Sequence, residues 1–147
     1  MNLYTIGFTK TTAERFFGRI RDARVRTLID TRLKRDGQLS GFAKMPDLEY
    51  FLSSLTDARY RYEPLLAPSN EMLDAFKSKQ LTWLDYENSY LALLADRKVS
   101  EQVSLETLDG GCLLCSEDKP DRCHRRLAAE FLRDGLREQS DITIIHL

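Results

Sequence analysis

The spacing of apolar residues follows two patterns, which alternate from segment to segment along the chain. Short, β-prone apolar runs, typical of buried strands, occupy residues 3–8, 26–32, 59–63, 111–115 and 142–147. Between these runs the apolar residues recur every three or four positions, as on one face of a helix. The helical segments cover residues 13–23, 46–55, 71–78, 82–97, 100–108 and 120–139, and a polar loop is expected over residues 33–45. Because strands and helices alternate, we expect one α/β domain over residues 1–147: a mostly parallel sheet of about five strands with helices on both faces.

Residues that favour helix starts refine these limits. Pro46 suits a first helical position, and Ser100 suits the cap of the helix that follows it. A helix that begins near Pro120 would place Cys123 and His124 in its first turn. There, unpaired backbone N–H groups and the positive end of the helix dipole favour a thiolate or a bound anion. The last apolar run, at the C-terminus, is expected to form a buried strand.

The predicted topology gathers polar residues at one edge of the sheet. In open parallel sheets, ligands bind outside the carboxyl ends of the strands. The residues expected at this edge are Gly7, Asp30, Arg32, Cys115, Glu117, Cys123, His124 and Arg125. We therefore expect any functional site to lie there.

The charge of the chain limits the class of partner. The net charge is −1, which argues against a protein that binds nucleic acid or membranes through its overall charge. Residues 10–36, however, carry nine basic and four acidic side chains. This excess favours a solvated helix face, with a nucleic-acid-binding face as the alternative. No apolar run is long enough to span a membrane and no secretory leader is visible, so we expect a cytoplasmic protein without membrane contacts.

The three cysteines suggest chemistry more than structural bridges, because their number is odd and a cytoplasm is reducing. Cys123, in a first helical turn beside His124 and Arg125, is expected to have a lowered thiol pKa and to serve as a nucleophile. His124 would act as the acid/base or orienting group. Cys115, at a strand end, would be the resolving thiol or the nucleophile itself. The alternative is that both cysteines are small buried residues that pack a strand against a helix.

Asp30 and Arg32 are two residues apart at a strand end and share one face of it. Asp30 could position a hydroxyl group or act as a base, while Arg32 and Arg125 bind an anionic group. Gly7 and Glu117, from the same edge, would contribute to the substrate site. The alternative for Asp30 and Arg32 is a structural ion pair.

A zinc site formed by Cys112, Cys115, Cys123 and His124 has enough ligands but the wrong geometry. Cys112 and Cys115 are three apart on a strand, so they point to opposite faces. We therefore expect no metal. No glycine-rich dinucleotide or phosphate-binding motif occurs, and no cofactor is expected.

Several segments resemble one family over residues 3 to about 135. They are Tyr4-Thr5-Ile6-Gly7, Leu28-Ile29-Asp30-Thr31-Arg32, Gly41-Phe42, and Leu113-Leu114-Cys115-Ser116-Glu117 followed by Cys123-His124-Arg125. With these segments the chain resembles domain-of-unknown-function family 488. Its usual Asp-Val-Arg is replaced by Asp30-Thr31-Arg32, which keeps both charged positions. The resemblance implies a small cytosolic bacterial or archaeal protein and assigns no activity.

Together these features favour a thiol-dependent enzyme that acts on an anionic small molecule, a nucleotide or nucleic acid. Two alternatives come from other classes of function. One is a non-catalytic nucleic-acid-binding module that uses the basic segment 10–36. The other is a structural arrangement without catalysis, in which His124 and Arg125 tie the helix to Asp30 and Glu117.

Overall fold

A computed structural model describes residues 1–37 and 40–147; residues 38 and 39 of the predicted loop lie outside the described part. The strands are β1 (Asn2–Gly7), β2 (Thr27–Asp30), β3 (Arg59–Tyr62), β4 (Gly111–Cys115) and β5 (Thr143–His146). The helices are α1 (Ala13–Asp22), α2 (Asp47–Leu55), α3 (Asn70–Lys77), α4 (Trp83–Asp96), α5 (Val99–Gln102), α6 (Leu105–Leu108) and α7 (His124–Leu136). Short 3-10 turns cover Gly41–Ala43 and Pro64–Leu66.

The five strands form one sheet in the order β3-β2-β4-β1-β5, and every pair is parallel. This confirms the predicted α/β class and the parallel sheet. Strand β4 fills the central position, between β1 and β2, so its carboxyl end lies between theirs. The register pairs Gly7 with Cys115 and Asp30 with Leu114.

Each face of the sheet is covered by its own apolar core, and β4 contributes to both. Cys112 and Leu114 pack with α1 and α2, whereas Leu113 packs with α4 and α7. Neighbouring residues of a strand point to opposite faces, so this five-residue buried strand supplies both cores. The expectation of helices on both faces is therefore confirmed.

Two predicted helix limits were wrong. The segment expected to form one helix from Ser100 to residue 108 forms α5 and α6 instead, and Ser104 caps α6 by accepting from the Thr107 N–H. Helix α7 begins at His124 and not near Pro120, so Cys123 is the cap residue of the helix and not, as predicted, part of its first turn. The carbonyls of residues 117 and 118 accept hydrogen bonds from a guanidinium group, which holds the preceding segment in a turn.

Two further expectations differ from the structure at the ends of elements. Pro46 precedes α2 as its cap residue, so the first helical position belongs to Asp47. Strand β5 is not buried, because it lies at the edge of the sheet, where Thr143 and His146 are exposed. Only one side of an edge strand has a partner, and its outer side meets solvent.

Candidate functional site

The carboxyl ends of β2 and β4 and the start of α7 bring together two cysteines and a histidine. The Sγ atoms of Cys115 and Cys123 and a ring nitrogen of His124 all lie within 4.8 Å of one another. The two cysteines, eight residues apart in the sequence, are joined as a disulfide. The covalent state of such a pair depends on the redox potential of its surroundings. Sequence analysis predicted that these three residues share one edge, and the structure places them within contact distance.

His124 is held through one ring nitrogen by the end of β2. Its Nε2 lies 3.0 Å from the carbonyl oxygen of Thr31 and 2.9 Å from Thr31 Oγ1. The Thr31 hydroxyl donates its own proton to the carbonyl of Leu114, at 2.8 Å. Both oxygens therefore accept from His124, which assigns the proton to Nε2 and leaves Nδ1 with a free lone pair. Burial lowers the pKa of His124 to about 4, so the ring is neutral at pH 7.

Arg125 is a buried cation beside the two sulfur atoms. Its Nη1 donates to the carbonyl of Glu117, and its Nη2 donates to the carbonyl of Asp118 at 3.1 Å. The same Nη1 lies 3.6 Å from Cys115 Sγ and 3.9 Å from Cys123 Sγ. Burial lowers the pKa of Arg125 to about 10, which leaves it charged at pH 7. In the reduced protein, this charge and the helix N-terminus both favour a thiolate over a thiol.

Asp30 and Arg32 form a buried ion pair at the end of β2. Nε of Arg32 donates to Oδ1 of Asp30 and its Nη2 donates to Oδ2, each at 2.9 Å. The hydroxyl of Tyr60 also donates to Asp30 Oδ2, at 2.7 Å, and Nη1 of Arg32 donates to the carbonyl of Ala43. The pair fixes the backbone on both sides of Thr31, and thus the contact that orients His124. Its predicted roles in substrate binding stay predictions.

Gly7 and Glu117 meet through their backbones. A Cβ atom on Gly7 would lie 1.6 Å from the carbonyl oxygen of Glu117 and 2.6 Å from Nη1 of Arg125. Only glycine leaves room for this approach. The carboxylate of Glu117 is at the exposed end of its side chain, while its carbonyl faces inward to Arg125. Both residues shape the site, and their predicted contact with substrate stays a prediction.

A cavity of about 230 Å³ opens beside the cysteines. One wall is apolar and comes mainly from α3 and α4. Its apolar residues are Leu33, Pro68, Leu73, Phe76, Trp83 and Tyr86. Four basic residues and one acidic residue also line the cavity. The basic residues are Arg32, Lys34, Lys77 and Arg122, and the acidic residue is Glu117. The cavity therefore combines an apolar surface, positive charge and two sulfur atoms.

Sequence analysis gave no functional role to two residues that complete this site, Thr31 and Trp83. Thr31 lies between two predicted site residues, and a hydroxyl residue at a strand end was the available signal. The helical spacing of Trp83, Tyr86, Tyr90 and Leu94 is typical of a core face, and the last three are buried, but Trp83 is only partly buried and lines the cavity. Which side of an amphipathic helix borders a cavity depends on tertiary packing, which periodicity does not encode.

A larger cavity, of about 620 Å³, lies near the amino ends of β2 and β3. It is lined by Arg21, Arg24, Arg26 and Arg59, together with Asp57 and Glu106. Neither a cysteine nor a histidine lies there, so thiol chemistry belongs to the smaller cavity. Within residues 1–37 and 40–147, no helix combines the length and apolar character that crossing a membrane requires.

Comparison with known proteins agrees with the resemblance seen in the sequence. No curated protein and no solved structure matches the chain. The sequence model of the domain of unknown function DUF488 matches residues 12–132, which include β2, β4 and the start of α7. The matched region holds every residue of the cysteine and histidine cluster. The chain belongs to the DUF488 family.

Proposed function

We propose that this protein is a thiol-dependent enzyme that acts on an anionic substrate at the carboxyl ends of the strands. The observation that supports the proposal is the convergence of Cys115, Cys123 and His124 within 4.8 Å, beside a cavity lined by cationic side chains. A neutral histidine near a thiol, itself oriented by a third group, is the usual arrangement for activating a cysteine nucleophile. Thr31 supplies that third group.

In the reduced protein, Cys123 loses its proton to solvent, Arg125 stabilises the thiolate, and the neutral ring of His124 orients it. The thiolate attacks an electrophilic atom of the substrate and forms a covalent bond to it, while the bond from that atom to a leaving group breaks and the group departs with the electron pair. Cys115 then attacks the Cys123 sulfur, which forms the disulfide and releases the substrate fragment with the bonding electron pair. A dithiol reductant, as found in the cytoplasm where we place the protein, restores both thiols.

The cavity indicates the class of substrate. Arg32 is neutralised by its ion pair with Asp30, which leaves Lys34, Lys77 and Arg122 against Glu117, and this positive balance favours an anion. Phe76, Trp83 and Tyr86 offer aromatic surface next to this charge, which suits a planar ring. We therefore propose a small anion that bears a ring, such as a nucleotide, or a single unpaired base of a nucleic acid.

The experiment is the rate of cysteine alkylation against pH, measured by peptide mass spectrometry on reduced protein kept in a metal chelator. Cys123 should react with an apparent pKa well below the reference of about 8.5. Arg125→Met should raise this value, because it removes the nearest cation. Arg126→Met is the matched control, since Arg126 lies on the same helix but pairs with Glu130. A Cys123 pKa at or above the reference in the wild-type protein would overturn the proposal.

The larger cavity favours a second candidate, a nucleic-acid-binding module. Three of its arginines, Arg21, Arg24 and Arg26, come from the basic segment 10–36, for which a nucleic-acid-binding face was the alternative to a solvated helix face. Binding of a short oligonucleotide should weaken steeply with salt, as counterion release requires. Substituting Arg24 and Arg59 by Gln should reduce the salt slope, whereas Lys77→Gln, at the other cavity, should not. Salt-independent binding, or none, would contradict this candidate.

A further inference from the structure

We propose that the reduced protein binds one Zn²⁺ ion, or a divalent transition-metal ion of similar ligand preference, through Cys115, Cys123 and His124. The fourth coordination position is open to the small cavity. The inference goes beyond the proposed thiol chemistry, because a thiolate bound to a metal is a ligand and not a free nucleophile. It also differs from the four-residue zinc site considered from sequence, which required Cys112. That residue packs in the core on the opposite face of the sheet.

The three donor atoms lie close enough to reach one tetrahedral ion once the disulfide is reduced. Zn–S bonds of about 2.3 Å and Zn–N bonds of about 2.0–2.1 Å place tetrahedral ligands roughly 3.5–3.8 Å apart. The two sulfur atoms and the ring nitrogen lie within 4.8 Å of one another. Once the disulfide is reduced, the two sulfur atoms can separate to this spacing around an ion.

The groups around these donors match the usual outer shell of a metal site. A histidine ligand commonly donates its second ring N–H to a backbone carbonyl, which fixes the tautomer. His124 makes this contact through Nε2 to the carbonyl of Thr31, which leaves Nδ1 as the metal ligand. Arg125 places an N–H group 3.6 Å from one sulfur atom and 3.9 Å from the other, as an outer-shell donor to thiolate ligands.

Charge and ligand number indicate the kind of site. Two thiolates neutralise a divalent ion, and Arg125 then stays the buried cation beside them. Among the described residues, the cluster supplies three ligands and no fourth. Two cysteines, one histidine and an exchangeable water form the set of a catalytic zinc site, whereas structural sites use four protein ligands. The fourth position therefore takes water or an anionic ligand from the cavity.

The test uses Co²⁺ as a spectroscopic probe of the reduced wild-type protein, without oxygen and with a reductant that does not bind metals. One equivalent should produce a sulfur-to-cobalt charge-transfer band, and Zn²⁺ should displace it. Cys115→Ser, Cys123→Ser and His124→Gln should each weaken binding at least tenfold. Cys112→Ser is the matched control and should bind as the wild type does. Circular dichroism would verify that each variant is folded.

The oxidised wild-type protein provides a control that needs no substitution, because its disulfide removes both thiolates. It should give no band. Absence of the band in the reduced protein, or full affinity in any of the three ligand variants, would overturn the metal site. The alkylation experiment is done in chelator, so the two proposals fail separately. A low thiol pKa without cobalt binding removes only the metal, and cobalt binding with an ordinary thiol pKa removes only the enzyme.

Discussion

At the scale of single residues, the contact between Thr31 and His124 decides how the histidine is used. Nε2 is occupied by two oxygen atoms of one residue, so the ring has a single free nitrogen. The sequence predicted the position of His124 at the edge of the sheet, because strand and helix patterns are encoded locally. It could not predict the tautomer, which depends on a residue 93 positions away in the chain.

The neutral state of the partly buried His124 ring makes the stability of the fold depend on pH. The pKa is about 4 in the folded protein and 6.5 for a free histidine, so the unfolded chain binds more protons between these values. Stability is therefore complete above about pH 6.5 and is lost as the pH falls toward 4. For this residue we expect a loss of about 2 kcal/mol between pH 7 and pH 5, measured by urea unfolding.

The control for this pH dependence is the other histidine. His124→Gln should flatten the slope of stability against pH, whatever its effect at pH 7. His146→Gln should keep most of the slope, because His146 is exposed in β5. Equal slopes in the wild type and in His124→Gln would contradict a lowered pKa of His124 in the folded protein.

Replacement of Gly7 by alanine tests the close approach of β1 to the turn before α7. The added methyl group would overlap the carbonyl of Glu117, so the turn must move and the contacts of Arg125 must change. We expect a loss of at least about 2 kcal/mol in the free energy of unfolding, typical of overpacking. Gly18→Ala is the matched control: its Cβ has space in α1, and alanine favours the helix. Similar stabilities of the two variants would exclude the close approach.

At the scale of elements, helix α4 supports both the core and the cavity. Tyr90 donates its hydroxyl proton to the carbonyl of Leu66 at 2.6 Å, and Arg97 donates to the carbonyl of Ala67, also at 2.6 Å. These contacts hold the connection that ends at Pro68, a wall residue of the cavity. The periodicity of the sequence predicted helix α4. It could not predict these two hydrogen bonds, because they join residues 24 and 30 positions apart.

Tyr90→Phe isolates one of these contacts. It leaves the buried carbonyl of Leu66 without its donor, which should cost about 1–3 kcal/mol in the free energy of unfolding. Tyr50→Phe is the control, since Tyr50 is 68% exposed and should change stability by less than about 0.5 kcal/mol. Chemical denaturation of both variants measures the difference. A cost for Tyr90→Phe no larger than that of the control would mean that water replaces the donor.

At the scale of the whole molecule, the positive charge around the small cavity should select between reagents of different charge. Iodoacetate is an anion and iodoacetamide is neutral, while both alkylate thiols. We expect the rate of Cys123 alkylation by iodoacetate, divided by the rate with iodoacetamide, to fall as salt screens the charges of the cavity. The double variant Lys34→Gln/Lys77→Gln should lower the ratio at low salt, and Lys10→Gln, an exposed residue that does not line the cavity, should not. A ratio that changes neither with salt concentration nor in the double variant would contradict electrostatic attraction of the anion.

The central position of β4 has a consequence for a chain that is still being synthesised. Strands β1 and β2 lie on either side of β4, so before residue 111 emerges they face a vacant slot one strand wide. A nascent chain of that length leaves unpaired at least the two strand edges that face the slot, which favours association with other chains. The strand that closes the slot also carries Cys115 at its end. The site therefore cannot form until β4 and the start of α7 have emerged, whereas strand β5, at the edge of the sheet, is synthesised after it.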